Sequence, residues 1–100
     1  MKTNKPIVWS ILASSDFNHL LDYLFQTWNS QTAIHFIDLV DDQLRRISKH
    51  PKLYPEINKK KKLRKCVVTK HNSLFYRETS DRIEVVRLYD NRQNPKKLKF

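Results

Sequence analysis

The chain has 100 residues, 39% of them hydrophobic and 30% charged, with a formal net charge of +10. That is the composition of a soluble globular protein, and residues 1–100 are expected to form one domain with a modest core. The absence of glycine excludes a Gly-rich phosphate loop and a dinucleotide fingerprint, both of which bring backbone against a ligand. The single cysteine, Cys66, excludes an intrachain disulfide and a thiolate zinc cluster and suits a reducing compartment.

The charge is unevenly placed. Met1 to Glu56 carry six Lys/Arg against six Asp/Glu, whereas Ile57 to Phe100 carry fourteen against four. A strongly cationic half implies an anionic partner.

In chain order, Ile7 to Leu12 is a short apolar run bounded by Pro6 and by Ser14-Ser15-Asp16, and it predicts a first strand followed by an N-cap. The run is too short to span a membrane, so no membrane partner is expected and a cytoplasmic location is. Phe17, Leu20, Leu21, Leu24, Phe25 and Trp28 then recur at helical spacing. Asn29-Ser30 interrupts this stripe and can cap a second helix over about 31–49, with Ala33, Ile37, Val40, Leu44 and Ile47 along one side and Ile34, Phe36 and Leu39 widening it. Pro51 ends it, and the short link predicts an antiparallel helical hairpin. Trp9, Trp28 and Phe36 are expected in the core.

Residues 51–63, with two prolines and the run Lys59 to Lys62, read as an exposed connection whose like charges keep it solvated. Three β-like segments follow, at about 64–71, 73–79 and 83–89, separated by breaks short enough for hairpins. Asn72 and Asp81 are the expected positive-φ residues of those turns. A two-residue turn at Asp81-Arg82 would pair Arg77 with Val86, Tyr76 with Arg87, Phe75 with Leu88 and Leu74 with Tyr89. It would place Phe75, Val86 and Leu88 on the core face and Tyr76, Arg87 and Tyr89 on the other, although a one-residue slip inverts every assignment. The fold class is therefore α+β: an N-terminal strand, a helical hairpin and a three-stranded antiparallel meander in one sheet packed on the helices.

His19, His35, His50 and His71 show no metal-ligand spacing, so no metal or cofactor is expected. Cys66, beside Val67-Val68, reads as a buried inert thiol.

The order of elements, together with Trp9, the stretch from Asp16 to Leu24 with Trp28, the second-helix pattern ending at Pro51, Leu74-Phe75-Tyr76-Arg77, Ile83 to Leu88 and Tyr89-Asp90-Asn91-Arg92-Gln93-Asn94-Pro95, resembles the RelE/ParE superfamily of type II toxin–antitoxin toxins. The resemblance implies a small basic toxin held by a cognate acidic antitoxin, which wraps it as a helix or an added strand, in an oligomeric complex with the antitoxin. It leaves two targets open: DNA gyrase, or the ribosome and its mRNA.

Metal-free RNA cleavage needs a base for the 2′-hydroxyl, cations for the phosphate and an acid for the leaving oxygen. By resemblance Arg92 matches the C-terminal Arg of a nuclease and Arg64 one strand cation; Arg77 and Tyr89 join Arg92 as catalytic candidates, with Lys70 and His71, where the register puts them on one face. Arg64, Lys70, Arg87, Arg92, Lys96 and Lys97 are the candidates for holding target or antitoxin. Ser73 and Cys66 stand where RNA-cleaving relatives carry Arg and Lys, so ParE-like action on gyrase is the favoured expectation. A RelE-like ribosome-dependent mRNA endonuclease and a non-toxic nucleic-acid-binding module are the alternatives.

Overall fold

The computed structural model describes residues 4–91. The first strand, β1, is Ile7–Trp9, shorter than the apolar run around it, because Ser10 turns the chain. Its Oγ accepts the Ala13 N–H at 3.0 Å and donates to the Val86 carbonyl at 2.9 Å. Ser10, rather than the Ser14-Ser15-Asp16 cluster, is thus the N-cap of helix α1, Ile11–Thr27, and Ile11 and Leu12 fall in the first helical turn. Helix α2, Ser30–Lys49, begins at Asn29, whose Oδ1 accepts the Thr32 N–H at 2.8 Å, and ends with Arg46 and Lys49 at the negative pole of its dipole.

Four further strands follow: β2 (Glu56–Asn58), β3 (Leu63–Thr69), β4 (Asn72–Glu78) and β5 (Ile83–Asp90). They form one sheet with β1 in the order β1-β5-β4-β3-β2. The β1–β5 pair is parallel and the other three are antiparallel. The expected meander is therefore flanked by a strand on each side. β2 lies inside the stretch read as a plain connection, and Pro51 in that stretch is buried, its carbonyl accepting the Tyr76 hydroxyl at 2.8 Å.

The β4–β5 register corrects the two-residue turn. Glu78 pairs with Ile83, Arg77 with Glu84 and Tyr76 with Val85, after which a bulge at Val86 sets Phe75 against Arg87, Leu74 against Leu88 and Ser73 against Tyr89. The turn comprises residues 79–82 and is closed by Thr79, whose N–H donates to the Arg82 carbonyl at 2.9 Å and whose Oγ1 accepts the Arg82 N–H at 3.1 Å. The bulge falls where Ser10 binds the Val86 carbonyl, the usual place for an extra residue being a strand about to lose a neighbour.

Leu74, Tyr76, Ile83, Val85, Leu88 and Cys66 meet Ala13, Phe36, Val40, Leu44 and Ile47 of the helices in one core. Tyr76 thus takes the core position expected of Phe75, while Phe75 and Val86 are buried outside that cluster. Trp9 joins its margin, its ring 5.1 Å from that of Phe17. Trp28 does not: it follows the last turn of α1 and is 65% exposed. On α2 the buried stripe passes through Phe36, not Ile37, and Ile34 faces solvent.

Among the described residues the single positive φ belongs to neither Asn72 nor Asp81 but to Lys62, at 56°. Side chains close the other turns, Asn72 through its Oδ1, which accepts from Thr69 Oγ1 at 3.0 Å. A left-handed conformation costs a residue with a Cβ about 1 kcal/mol.

Candidate functional site

β1 accompanies β5 only from Ile83 to Val85, so the rest of β5 would be an open edge with unpaired N–H groups. α1 closes it with a carboxylate. Asp16 Oδ2 accepts the Leu88 N–H at 3.1 Å and Arg87 Nε at 2.8 Å, while Oδ1 accepts Arg87 Nη2 at 2.9 Å. The side chains of Arg87 and Asp16 are 19% and 18% exposed. The hydrogen bonds that Arg87 donates to Asp16 outweigh burial and hold its guanidinium above its ordinary pKa. This fork forms one wall of a cleft of about 490 Å³ that also takes in His19, Tyr23, Asn72, Tyr89 and Asp90.

Tyr89 is buried edge-on against Phe75, ring centroids 6.4 Å apart. Beside it Ser73 is fully buried, and its Oγ donates to Asn91 Oδ1 at 2.9 Å. Asn91 also donates its N–H to the His71 carbonyl at 2.7 Å and its Nδ2 to the Lys70 carbonyl at 3.4 Å. One asparagine therefore ties the end of β5 to the β3–β4 turn.

The candidate residues divide between the two ends of the sheet. Lys70, Arg87 and Tyr89 gather where β5 ends. Arg77 lies at the opposite end, its Nε 3.1 Å from Glu84 Oε1 and its Nη1 donating to the Lys61 carbonyl at 3.3 Å. Arg64 turns to the connection after α2, where its Nη1 donates to the Tyr54 carbonyl at 2.7 Å. Arg77 is thus not brought beside Tyr89, and Arg92, Lys96 and Lys97 lie outside the described residues.

Cys66 is fully buried. Burial pushes its thiol up to about 11, against smaller opposing effects of a hydrogen bond with Tyr54 and the charge of Arg46. Burial likewise pushes the Tyr76 hydroxyl up to about 12. Asp16 and Asn91 organise the site and were not among the residues expected there: Asp16 reads locally as a cap, and Asn91 as one polar residue in a polar tail. No group of three or more His, Cys, Asp or Glu suited to a metal occurs among the described residues, and no helix there is long and apolar enough to cross a membrane.

The strand, helical hairpin and mixed sheet define a small α+β domain whose fold recurs in solved structures of toxin–antitoxin proteins. A chain of the chromosomal ParDE TA system from P. aeruginosa superposes with a TM-score of 0.72 at 12% identity, covering 86% of this chain and 95% of that one. A YoeB/ParE toxin from Agrobacterium tumefaciens does so with a TM-score of 0.63 at 14% identity, covering 85% and 96%. No curated protein matches the chain. Residues 7–95 match the model of the ParE toxin of type II toxin-antitoxin system, parDE. The chain belongs to that family, on the ParE-like side of the RelE/ParE superfamily.

Proposed function

We propose that the protein is the growth-arresting toxin of a type II pair, that it acts on DNA gyrase without cutting RNA, and that a cognate acidic antitoxin neutralises it in the cytoplasm. One observation carries the choice of mechanism: cations and positions a metal-free ribonuclease would need are committed to the fold. Arg64, Arg77 and Arg87 are bound to Tyr54, to Glu84 and Lys61, and to Asp16. Cys66 and Ser73 are both fully buried.

Cleavage would require a base at the 2′-hydroxyl with cations free to meet developing phosphate charge. Tyr89, buried against Phe75, is poorly placed to serve. Lys70 is exposed at the β3–β4 turn but sits at the other end of the sheet from Arg77. The test is purified protein added to a gyrase supercoiling reaction and to translating ribosomes. Inhibited supercoiling with intact mRNA is expected. Codon-phased mRNA cleavage with unaffected gyrase would overturn the reading.

A further inference from the structure

The run Lys59 to Lys62 is the densest charge in the chain. Lys59 to Lys62 form the tight turn between β2 and β3, all four exposed. The turn is held by its own backbone and by neighbours. Lys62 N–H donates to the Lys59 carbonyl at 3.3 Å, Lys61 N–H to Asn58 Oδ1 at 3.0 Å, and Arg77 Nη1 to the Lys61 carbonyl at 3.3 Å. Such a turn presents its ammonium groups from a fixed base, unlike a solvated tail.

Two features set the run apart from an ordinary solvated turn. Like charges at four consecutive positions repel, and among the described residues no ion pair joins Lys59, Lys60 or Lys62 to a carboxylate. Lys62 also holds the left-handed conformation that glycine or asparagine adopts more readily. A lysine stands there against backbone preference, the kind of outlier from which a functional role is properly argued.

The surface continues from the tip. Arg77, bound to the Lys61 carbonyl, shares Glu84 with Arg82, whose Nη2 lies 2.6 Å from Glu84 Oε2, so two guanidinium groups flank one carboxylate. Val8 and Val86 line the shallow cleft between them. Among the described residues the exposed aromatics, Tyr23, Phe25 and Trp28, lie on or just after α1, away from the tip. Single-stranded nucleic acid is held by cations interleaved with stacking rings, and that pattern is missing from this surface. Clustered ammonium groups without rings suit the phosphate rails of a duplex.

We propose that the exposed ammonium groups of the Lys59–Lys62 turn, braced by Arg77 through the Lys61 carbonyl, form a sequence-independent binding site for the phosphate backbone of duplex DNA. The turn inserts charge beside the rails and reads no bases. This site is separate from the Asp16–Arg87 cleft and does not depend on gyrase being the target.

The test uses the full chain and a labelled duplex of about 20 bp, titrated between about 0.05 and 0.2 M salt, where counterion release is steepest. The variant K59Q/K60Q/K62Q is compared with R45Q/K49Q/K52Q, which removes the same charge from α2 and the turn after it. The tip variant is expected to bind roughly tenfold or more weakly at about 0.1 M salt, with its log–log salt slope reduced by about 3. The reference variant should lose much less, and K59R/K60R/K62R should bind like wild type. Equal losses in the two glutamine variants, or wild-type binding by the tip variant, would overturn the site. So would a tip variant that keeps its DNA affinity but loses binding to a polyglutamate peptide, since the turn would then serve an acidic protein segment.

Discussion

The guanidinium of Arg87 grips the carboxylate of Asp16 through two hydrogen bonds of 2.8 and 2.9 Å, joining residues 71 positions apart. The same carboxylate takes the Leu88 N–H. A single side chain thereby neutralises a largely buried cation and closes the edge that β1 leaves open on β5. Stability and the shape of the adjoining cleft depend on one pair.

Asp16→Ala should therefore cost about 2 kcal/mol, because it strands a largely buried arginine and a strand N–H together; the pair's partial exposure keeps the loss below that of a fully buried one. Arg87→Lys keeps the charge but not the planar fork and should cost about 1 kcal/mol. Urea unfolding of both single variants and of the double variant checks this. A coupling energy near zero in the cycle would show that the fork contributes little.

Much of this architecture was legible in the residues, and the failures have physical causes. The helices were readable because their buried stripes repeat over several turns, although Trp28 and Ile34, counted inward on that period, face solvent and Phe36 rather than Ile37 turns in. Ser10 was obscured by Ser14-Ser15-Asp16, an equally good local cap, and its preference rests on the Val86 carbonyl 76 residues away. β2 is three residues long and follows a proline, which gives no period to detect. The β4–β5 register turned on a four-residue turn and a bulge at Val86, both set by side-chain hydrogen bonds that local sequence does not reveal. Asp16 escaped notice as a site residue for the same reason: its partner is distant in the chain.

The two raised acidities predict an alkaline loss of stability. In the unfolded chain a cysteine ionises near 9.0, but in the fold Cys66 does so only near about 11. For Tyr76 the rise is from 10.0 to about 12. Above pH 9 the unfolded state therefore holds fewer protons than the folded state, so stability falls as pH rises and levels off only above the folded values. The urea midpoint should be flat from pH 7 to 8.5 and decline above about pH 9. In Cys66→Ala the first part of that decline should vanish, at the cost of about 1 kcal/mol for the lost packing. A wild-type midpoint independent of pH up to about 10.5 would contradict the assignment.

Lys62 is placed to reveal a conflict between stability and binding. Lys62→Gly removes the left-handed penalty at the position where φ is 56° while adding freedom to the unfolded chain. A net gain of about 0.5 kcal/mol is expected. If the turn binds phosphate as proposed, the same substitution weakens duplex binding about threefold and lowers the salt slope by about 1. Thermal unfolding and anisotropy titration on one preparation measure both effects, and a less stable Gly variant would contradict the strain.

Trp9 and Trp28 separate cleanly by environment. Trp28, at 65% exposed, should emit as a solvated indole and be quenched by acrylamide, and Trp28→Ser should change stability by no more than about 0.5 kcal/mol. Trp9, stacked 5.1 Å from Phe17, should be shielded, and Trp9→Ala should cost about 3 kcal/mol. Emission spectra of the two single-Trp variants decide the matter.

Asn91 offers a test of the tail that leaves the tail's own residues untouched. Its N–H, Oδ1 and Nδ2 hold the end of β5 to His71, Ser73 and Lys70, and Arg92 follows directly. Arg92→Ala should abolish growth arrest on induced expression if that arginine meets the target, with the fold intact. Asn91→Ala should cost about 1–2 kcal/mol, chiefly by leaving the buried Ser73 hydroxyl without its acceptor. By releasing the anchor it should also weaken arrest in a protein that still accumulates. Asn91→Asp keeps the oxygen for Ser73 but loses the amide donor to Lys70, and should restore most of the stability and part of the arrest. Soluble protein by immunoblot, set against colony counts, separates the two effects. Full toxicity in Arg92→Ala would remove the tail from the working surface and leave the Asp16–Arg87 cleft as the part of that end to probe next.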